Sequence, residues 1–284
     1  MIKKIISRGE KYFFRNHNLL CAKEVKKGCV NLDFWDKKDN VGDYIANIVY
    51  IWMLSQKKLT ENSNAHKTVK LLTIGSIIGL KQYDAVIWGS GIHALSSVIQ
   101  IFNWRNIVHY DVRALRGPIT MQILSFSGYD CSNAILGDPA ILMPLIYKPD
   151  TLKKRYKISI ITHLIHDIVD EEILTSDLNI INVATKDYEK FIEEIVSSER
   201  IISSSLHGII LAESYGIPAI FLNRRGCMDT EIMKFYDWYY STDRYSVKIA
   251  RTIKEAVSMG SMPLPKLDIM QQNLIKSFPY DLWY

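Results

Sequence analysis

A chain of 284 residues with 48% hydrophobic and 23% charged residues has the composition of a folded globular protein, which excludes an intrinsically disordered one. Its 35 basic and 30 acidic residues give a net charge of only +5, spread along the chain, which indicates a weak preference for anionic partners. We expect no nucleic-acid partner. No apolar run approaches the ~18 residues that a membrane-spanning helix needs.

The cysteines and the two termini bear on location. The four cysteines are far apart and show no metal-ligand spacing, so we expect free thiols, no metal site and a cytoplasmic protein; they are Cys21, Cys29, Cys131 and Cys227. The basic N-terminal stretch lacks the apolar core of a signal peptide. With Phe13 and Phe14, or through the aromatic residues 278–284, the termini allow peripheral contact with the inner membrane surface.

In the first half of the chain, short apolar stretches alternate with helical patterns. Pro118 and Gly128 are the start and stop signals of a helix over residues 115–128, and a second helix is predicted over residues 42–54. The apolar stretches are typical of strands buried on both faces of a parallel sheet. These strands are predicted at residues 27–35, 70–78, 83–91, 105–113 and 131–143.

A polar, basic stretch at residues 146–156 contains Pro149 and is predicted to be a linker. After it the alternation resumes. Strands are predicted at residues 157–163, 178–184, 199–205 and 217–223. Helices are predicted at residues 167–176, 186–198 and 207–216, as two helices within residues 229–259, and at residues 267–277.

Two successive strand–helix series predict an α/β protein with two Rossmann-like domains facing a cleft. We place the N-terminal domain at residues 1–147 and the C-terminal domain at residues 148–284, with C-terminal helices that cross back to the first domain. In such folds ligands bind at the carboxyl ends of the strands. That rule selects the candidate site residues.

In the first half, several polar or glycine-containing turns follow the strands. The sequence has neither the GxGxxG pattern of dinucleotide-binding domains nor the GxxxxGK[ST] phosphate loop. Each turn, taken alone, also fits an ordinary strand end. The candidates for substrate binding are Asn40, Asp43, Gly89, Ser90 and Asp138.

Arg113 and Arg116 lie three residues apart at a junction between a strand and a helix. Free amides and the helix dipole favour anions there, and a guanidinium can hold a phosphate or carboxylate through two hydrogen bonds. The alternative is that these arginines pair with neighbouring acidic side chains. The sequence leaves both interpretations open.

In the second half, His163 and His207 end two strands in equivalent positions. A lone histidine is more often structural, but two at equivalent strand ends favour proton transfer. Around His207, Ser204, Ser205 and Gly208 supply hydroxyl groups, a helix cap and a close backbone approach. A GxSxG elbow is absent, which argues against a serine hydrolase.

Several motifs, taken in their order along the chain, resemble those of the polysaccharide pyruvyl transferase family. They are "NVGDYIANIV" from residue 40, "VIWGSG" from residue 86, "VRALRGPIT" from residue 112, "LGDPAIL" from residue 136, the stretch over residues 181–222, and "KFYDWYYS" from residue 234. The long match in the second half of the chain, over residues 181–222, is most similar to the exopolysaccharide ketal-pyruvate transferase branch. The resemblance covers residues 31–241.

The resemblance implies a fold similar to that of the GT-B glycosyltransferases. It also implies transfer of the enolpyruvyl unit of phosphoenolpyruvate to a sugar of a surface polysaccharide precursor, giving a pyruvate ketal, with no cofactor. Relatives have Arg-Leu-His where this chain has Ser205-Leu206-His207, so an arginine credited with binding phosphoenolpyruvate is missing.

On this basis we predict His207 as the general acid/base, assisted by His163, with Arg116 on the phosphate or carboxylate and Asp43 orienting the acceptor. The acceptor is expected to be a lipid-linked oligosaccharide. Two alternatives stay open, namely a GT-B glycosyltransferase that uses a nucleotide sugar, and a non-catalytic member of a polysaccharide assembly complex.

Overall fold

The computed structural model describes residues 19–150, 153–162, 178–223 and 231–283. The predicted helix at residues 167–176, His163 and Cys227 lie outside the described residues. The described chain is a mixed α/β structure with two sheets of five strands each, and all strand pairs are parallel. The prediction of an α/β protein with Rossmann-like sheets is therefore confirmed.

The N-terminal sheet has its five strands side by side in chain order. Its first three strands are buried along their whole length. Val86 and Trp88 belong to one hydrophobic cluster and Ile87 to another, so the sheet is covered on both faces, as its continuous apolar strands predict. The strands are β1 (Val30–Asp33), β2 (Val69–Leu72), β3 (Ala85–Trp88), β4 (Tyr110–Leu115) and β5 (Ile135–Leu136).

The helices of this half are α1 (Val41–Ser55), α2 (Leu95–Trp104), α3 (Pro118–Phe126) and α4 (Met143–Ile146). Helix α1 begins after Asn40, whose side-chain oxygen accepts a hydrogen bond from the amide of Gly42 at 3.0 Å. Helix α3 begins with Pro118, and Gly128 follows its end with a φ of +87°. Both predicted helices are confirmed.

Two features of this half differ from the prediction. The strand expected over residues 131–143 is reduced to β5, because Asp138 caps a 3₁₀ helix over Pro139–Leu142. The proline lacks the amide that a longer strand would donate. Helix α2 was missed, since Ala94 before it provides no side-chain cap to mark its start.

The C-terminal sheet has the order β10-β9-β8-β6-β7. Its strands are β6 (Tyr156–Ile161), β7 (Leu178–Ile181), β8 (Ser198–Ser203), β9 (Ala219–Leu222) and β10 (Ile249–Ala250), of which only β10 was not predicted. Because β6 lies between β7 and β8, the direction of strand addition reverses there. Ligands bind outside the carboxyl ends of the strands at such a switch point, and β8 leads directly to His207.

The remaining helices are α5 (Tyr188–Val196), α6 (Leu206–Ser214), α7 (Ile232–Ser241), α8 (Ile253–Ser258) and α9 (Asp268–Ser277). Helix α9 packs against the N-terminal sheet, where the indole nitrogen of Trp88 donates to the carbonyl of Leu274 at 3.1 Å. One hydrophobic cluster contains Leu32 of the first sheet and Phe221 of the second, so the two halves share a core. Among the described residues, no helix has the length and apolar character that crossing a membrane requires.

Candidate active site

A cavity of about 330 Å³ is lined by residues of both halves, which is within the usual range for small-molecule sites. From the N-terminal half, its polar lining comprises Lys38, Asn40, Asp43, Ser76 and His93. From the C-terminal half it comprises Ser205, His207, Glu231 and Lys234. All of these follow strands or begin helices, so the rule that ligands bind at strand ends applies to both sheets.

His207 lies in the first turn of α6, directly over the first turn of α1. A Cβ atom on Gly42 would lie 2.4 Å from its Nδ1 atom, so only glycine allows this approach. On its other side, Nε2 of His207 is 3.8 Å from Oδ2 of Asp138, and neither atom has a hydrogen-bond partner among the described residues. Asp138 is fully buried, whereas the histidine side chain is 12% exposed. The buried carboxylate and the imidazole therefore face each other without a hydrogen bond between them.

Asp43 lies in the first turn of α1 and faces the cavity. The amide nitrogen of Asn40 donates to its Oδ2 at 2.8 Å. Burial raises the pKa of Asp43 to about 6, an effect that His207 and Lys234 oppose and Asp138 reinforces. The cavity thus contains a carboxyl group whose pKa is raised above that of an ordinary aspartate.

A second charged cluster lines the cavity, formed by Glu231 and Lys234 at the start of α7 together with His93. The ammonium of Lys234 lies 2.5 Å from Glu231, whose other oxygen is 3.3 Å from Nε2 of His93. Burial lowers the pKa of Lys234, although Glu231 opposes this. For Glu231, burial is outweighed by the bonds from His93 and Lys234, so its pKa lies below the usual range. The cluster brings two basic groups and one carboxylate to the cavity.

Arg116 is buried behind the cavity wall with 1% exposure. Its Nε donates to Asp237 at 3.1 Å, and its remaining nitrogens donate to Ser76 and to the carbonyl of Ile92. Asp237 also accepts from the amide and hydroxyl of Thr120 at the start of α3. The position where the sequence predicts an external anion is therefore occupied by a carboxylate of the chain itself. Arg116 reaches the cavity only through Ser76.

Arg113 lies outside the cavity on the surface, where Asp111 and Asp281 hold its guanidinium at 2.6 to 3.0 Å. The sequence left open whether this arginine binds an external anion or pairs with neighbouring acidic side chains, and its contacts in the structure are of the second kind. Gly89 and Ser90 also lie away from the cavity wall. The glycine packs against Pro139, and the serine hydroxyl donates to the carbonyl of Gly75 at 2.8 Å.

The serine run at residues 203–205 forms the turn between β8 and α6. Ser205 caps α6 by accepting from the amide of Gly208 at 3.4 Å, and it lines the cavity. Ser203 donates to the carbonyl of Ser205, and Gly208 packs against its hydroxyl. The amide of Ser204 donates to Ile161 of β6, so the turn joins both strands of the switch point. The run is chiefly structural and leaves Ser205 at the cavity.

Of the predicted site residues, the structure brings Asn40, Asp43, Ser205 and His207 together at the cavity, with Asp138 behind them. Sequence reasoning missed His93, Glu231 and Lys234. His93 follows the selected turn at Gly89 and Ser90 by only three residues. Lys234 begins the "KFYDWYYS" motif, which carries the family resemblance without indicating which of its residues reach the cavity.

The described chain is an α/β protein with a cavity at strand ends that combines a histidine and a buried carboxyl group with basic side chains. A sequence profile of the polysaccharide pyruvyl transferase family matches residues 6–226. The chain belongs to this family, and membership implies a transferase that moves pyruvate to a polysaccharide.

Two individual proteins are also similar to this chain. An uncharacterised protein of Acanthamoeba polyphaga mimivirus is 31% identical over 256 residues, covering 84% of this chain and 85% of that protein. The crystal structure of a functionally uncharacterised protein from Klebsiella pneumoniae subsp. pneumoniae NTUH-K2044 aligns with 79% of this chain and 93% of its own, at 16% identity and a TM-score of 0.48.

Proposed function

We propose that the protein transfers pyruvate from phosphoenolpyruvate to a sugar of a surface polysaccharide precursor, forming a pyruvate ketal and releasing phosphate. The observation that carries this proposal is the meeting of His207, Asp43, His93 and Lys234 in one cavity. Membership of the family supports pyruvate as the group that is transferred and a polysaccharide as its acceptor. The charges and proton-transfer groups of the cavity support the choice of donor.

Phosphoenolpyruvate carries a phosphate and a carboxylate, so its site needs cations and hydrogen-bond donors. Lys234 and His93 line the cavity, and Glu231 bridges them in the structure. A phosphate entering here would compete with Glu231 for both basic groups. Together with Lys38, this pair provides basic groups in contact with the cavity, whereas Arg116 is buried behind its wall. These groups are the proposed substitute for the arginine that is missing at Ser205.

The reaction needs proton transfers that balance. C3 of phosphoenolpyruvate takes one proton, two sugar hydroxyls each lose one as their oxygens bond to C2, and the departing phosphate takes one. His207 is the candidate for these transfers, because its imidazole lines the cavity and its Nε2 lies 3.8 Å from the buried carboxylate of Asp138. His163, which lies outside the described residues, keeps its predicted assisting role.

The acceptor is proposed to be a lipid-linked oligosaccharide presented at the inner membrane surface, with the enzyme working on the cytoplasmic side. The cleft between the two halves and the GT-B-like fold, both proposed here from the family resemblance, would let a donor and an acceptor meet between two sheets. No cofactor is needed for the chemistry described.

Calorimetry tests the donor, with phosphoenolpyruvate compared against a panel of nucleotide sugars. We expect binding of phosphoenolpyruvate alone, whereas binding of a nucleotide sugar alone would favour the glycosyltransferase alternative. Phosphate release is then measured with galactose, glucose, mannose and N-acetylhexosamine acceptors. The variant His207→Ala should lose about 10² to 10⁴ in rate, and His109→Ala, which changes an exposed histidine, should not. A folded His207→Ala protein with normal turnover would remove His207 from the mechanism.

A further inference from the structure

We infer that Asp43 is a second catalytic residue, the general acid that delivers the proton to C3 of the bound phosphoenolpyruvate. This inference rests on the proposed function and deepens it. It separates two roles that the sequence assigned to one histidine, because His207 then serves as the base for the first sugar hydroxyl and Asp43 as the acid for C3.

The position of Asp43 is the first argument. Its carboxyl group lines the cavity, with Oδ2 bound to the side chain of Asn40 at 2.8 Å. No hydrogen bond to Oδ1 is found in the part of the chain that the structure describes. Because Gly75 has no side chain, no Cβ atom crowds Oδ1; a Cβ at this position would lie 3.3 Å from that oxygen. One oxygen is thus fixed and the other is available to a ligand.

The orientation of His207 is the second argument. Its Nε2 atom is buried and faces Asp138 at 3.8 Å, away from solvent. A proton on Nε2 is stabilised by that carboxylate, which suits an imidazole whose other nitrogen accepts protons. Donation to C3 calls for a different group, and Asp43 is a carboxyl group at the same cavity.

Electrostatics support the acid form of Asp43. The charged groups that act on it are His207 from α6, Lys234 from α7, His93 after β3 and Asp138 before the 3₁₀ helix. Burial raises its pKa to about 6 despite the three basic groups, so at neutral pH a larger fraction of the molecules carries the proton than for an ordinary aspartate. A bound phosphoenolpyruvate adds negative charge to the cavity, which raises the pKa further and increases that fraction.

The chemical step balances with these two groups. The double bond between C2 and C3 takes the proton of Asp43 at C3, and the first hydroxyl oxygen bonds to C2 as His207 takes its proton. The bond from C2 to the phosphate oxygen then breaks, and the phosphate leaves with the electron pair. The second hydroxyl oxygen bonds to C2 and loses its proton to the carboxylate of Asp43, while the imidazolium returns its proton to the phosphate. Both groups end in their starting states, as two titratable groups in different environments allow.

The test compares Asp43→Asn with the unmodified protein and with Asp281→Asn, a surface control. We expect Asp43→Asn to lose about 10² to 10⁴ in phosphate release, to bind phosphoenolpyruvate within about threefold of normal, and to fold normally. In D₂O, deuterium incorporation at C3 should fall by the same factor. In unmodified protein the rate should decline as pH rises through the pKa of Asp43, and this limb should be missing from the residual activity of the variant.

Three results would overturn the assignment. The first is normal turnover in Asp43→Asn. The second is a loss of phosphate release that weaker binding of phosphoenolpyruvate explains, with the pH profile unchanged, which would make Asp43 a positioning residue. Both leave the proposed function intact. If the unmodified protein neither binds phosphoenolpyruvate nor releases phosphate from it, the proposed function fails and the role of Asp43 fails with it.

Discussion

Replacing Asp237 by asparagine should strongly destabilise the protein without any direct contact with substrate. Asp237 and Arg116 are each 1% exposed, and the aspartate accepts from Arg116 at 3.1 Å and from Thr120 at 3.0 and 2.7 Å. The variant leaves the guanidinium as an uncompensated buried charge, which typically costs about 3 to 5 kcal/mol. Because asparagine keeps one acceptor oxygen, we expect the lower end, about 3 kcal/mol in the free energy of unfolding.

Asp281→Asn is the matched control. Asp281 binds Arg113 at 2.8 and 2.9 Å, but its side chain is 57% exposed, so solvent screens the pair. Loss of such a surface pair costs less than about 1 kcal/mol. Urea denaturation followed by circular dichroism measures both variants. Equal losses for Asp237→Asn and Asp281→Asn would refute the view that a buried ion pair holds α7 against α3.

Two further predictions concern the cavity. The pKa of Asp43 is raised from 3.8 to about 6, so between these values the folded state holds a proton that the unfolded chain has lost, and stability falls as pH rises through this window. Asp43→Asn should therefore increase the free energy of unfolding by about 1 to 3 kcal/mol at pH 8 and change it little near pH 4. Urea denaturation at both pH values measures this, and an effect that is the same at both would contradict the raised pKa of Asp43. In Gly42→Ala, the new Cβ would lie 2.4 Å from Nδ1 of His207 and displace the imidazole from its position in the cavity, so phosphate release should fall at least tenfold. Gly260→Ala, whose Cβ would meet nothing closer than 3.6 Å, should keep normal turnover, and equal rates for the two variants would argue against the placement of His207.

The fold could be predicted well from the sequence because its signals are local. Continuous apolar stretches predict strands buried on both faces, and the start and stop signals at Pro118 and Gly128 predict α3. The rule that ligands bind at strand ends predicts Asn40, Asp43 and His207 as site residues, and all three line the cavity. Helix α2 was missed because no capping side chain marks its start.

The site was predicted less completely, because much of it depends on contacts between distant parts of the chain. Asp237 lies 121 residues from Arg116, and no local pattern indicates that it fills the anion position at the start of α3. Glu231 and Lys234 are brought to the cavity by the packing of α7 against α3. Burial decides the pKa of Asp43, and burial at one position follows from the whole fold.

The central claim is tested most directly by following the carbon atoms of the donor. The protein is incubated with phosphoenolpyruvate labelled with ¹³C at C2 and with an acceptor oligosaccharide, and the product is examined by NMR and mass spectrometry. We expect one phosphate released for each labelled carbon that becomes bonded to two sugar oxygens, a methyl group and a carboxylate. Transfer of a sugar from a nucleotide sugar, with the labelled phosphoenolpyruvate left unchanged, would contradict the proposed function.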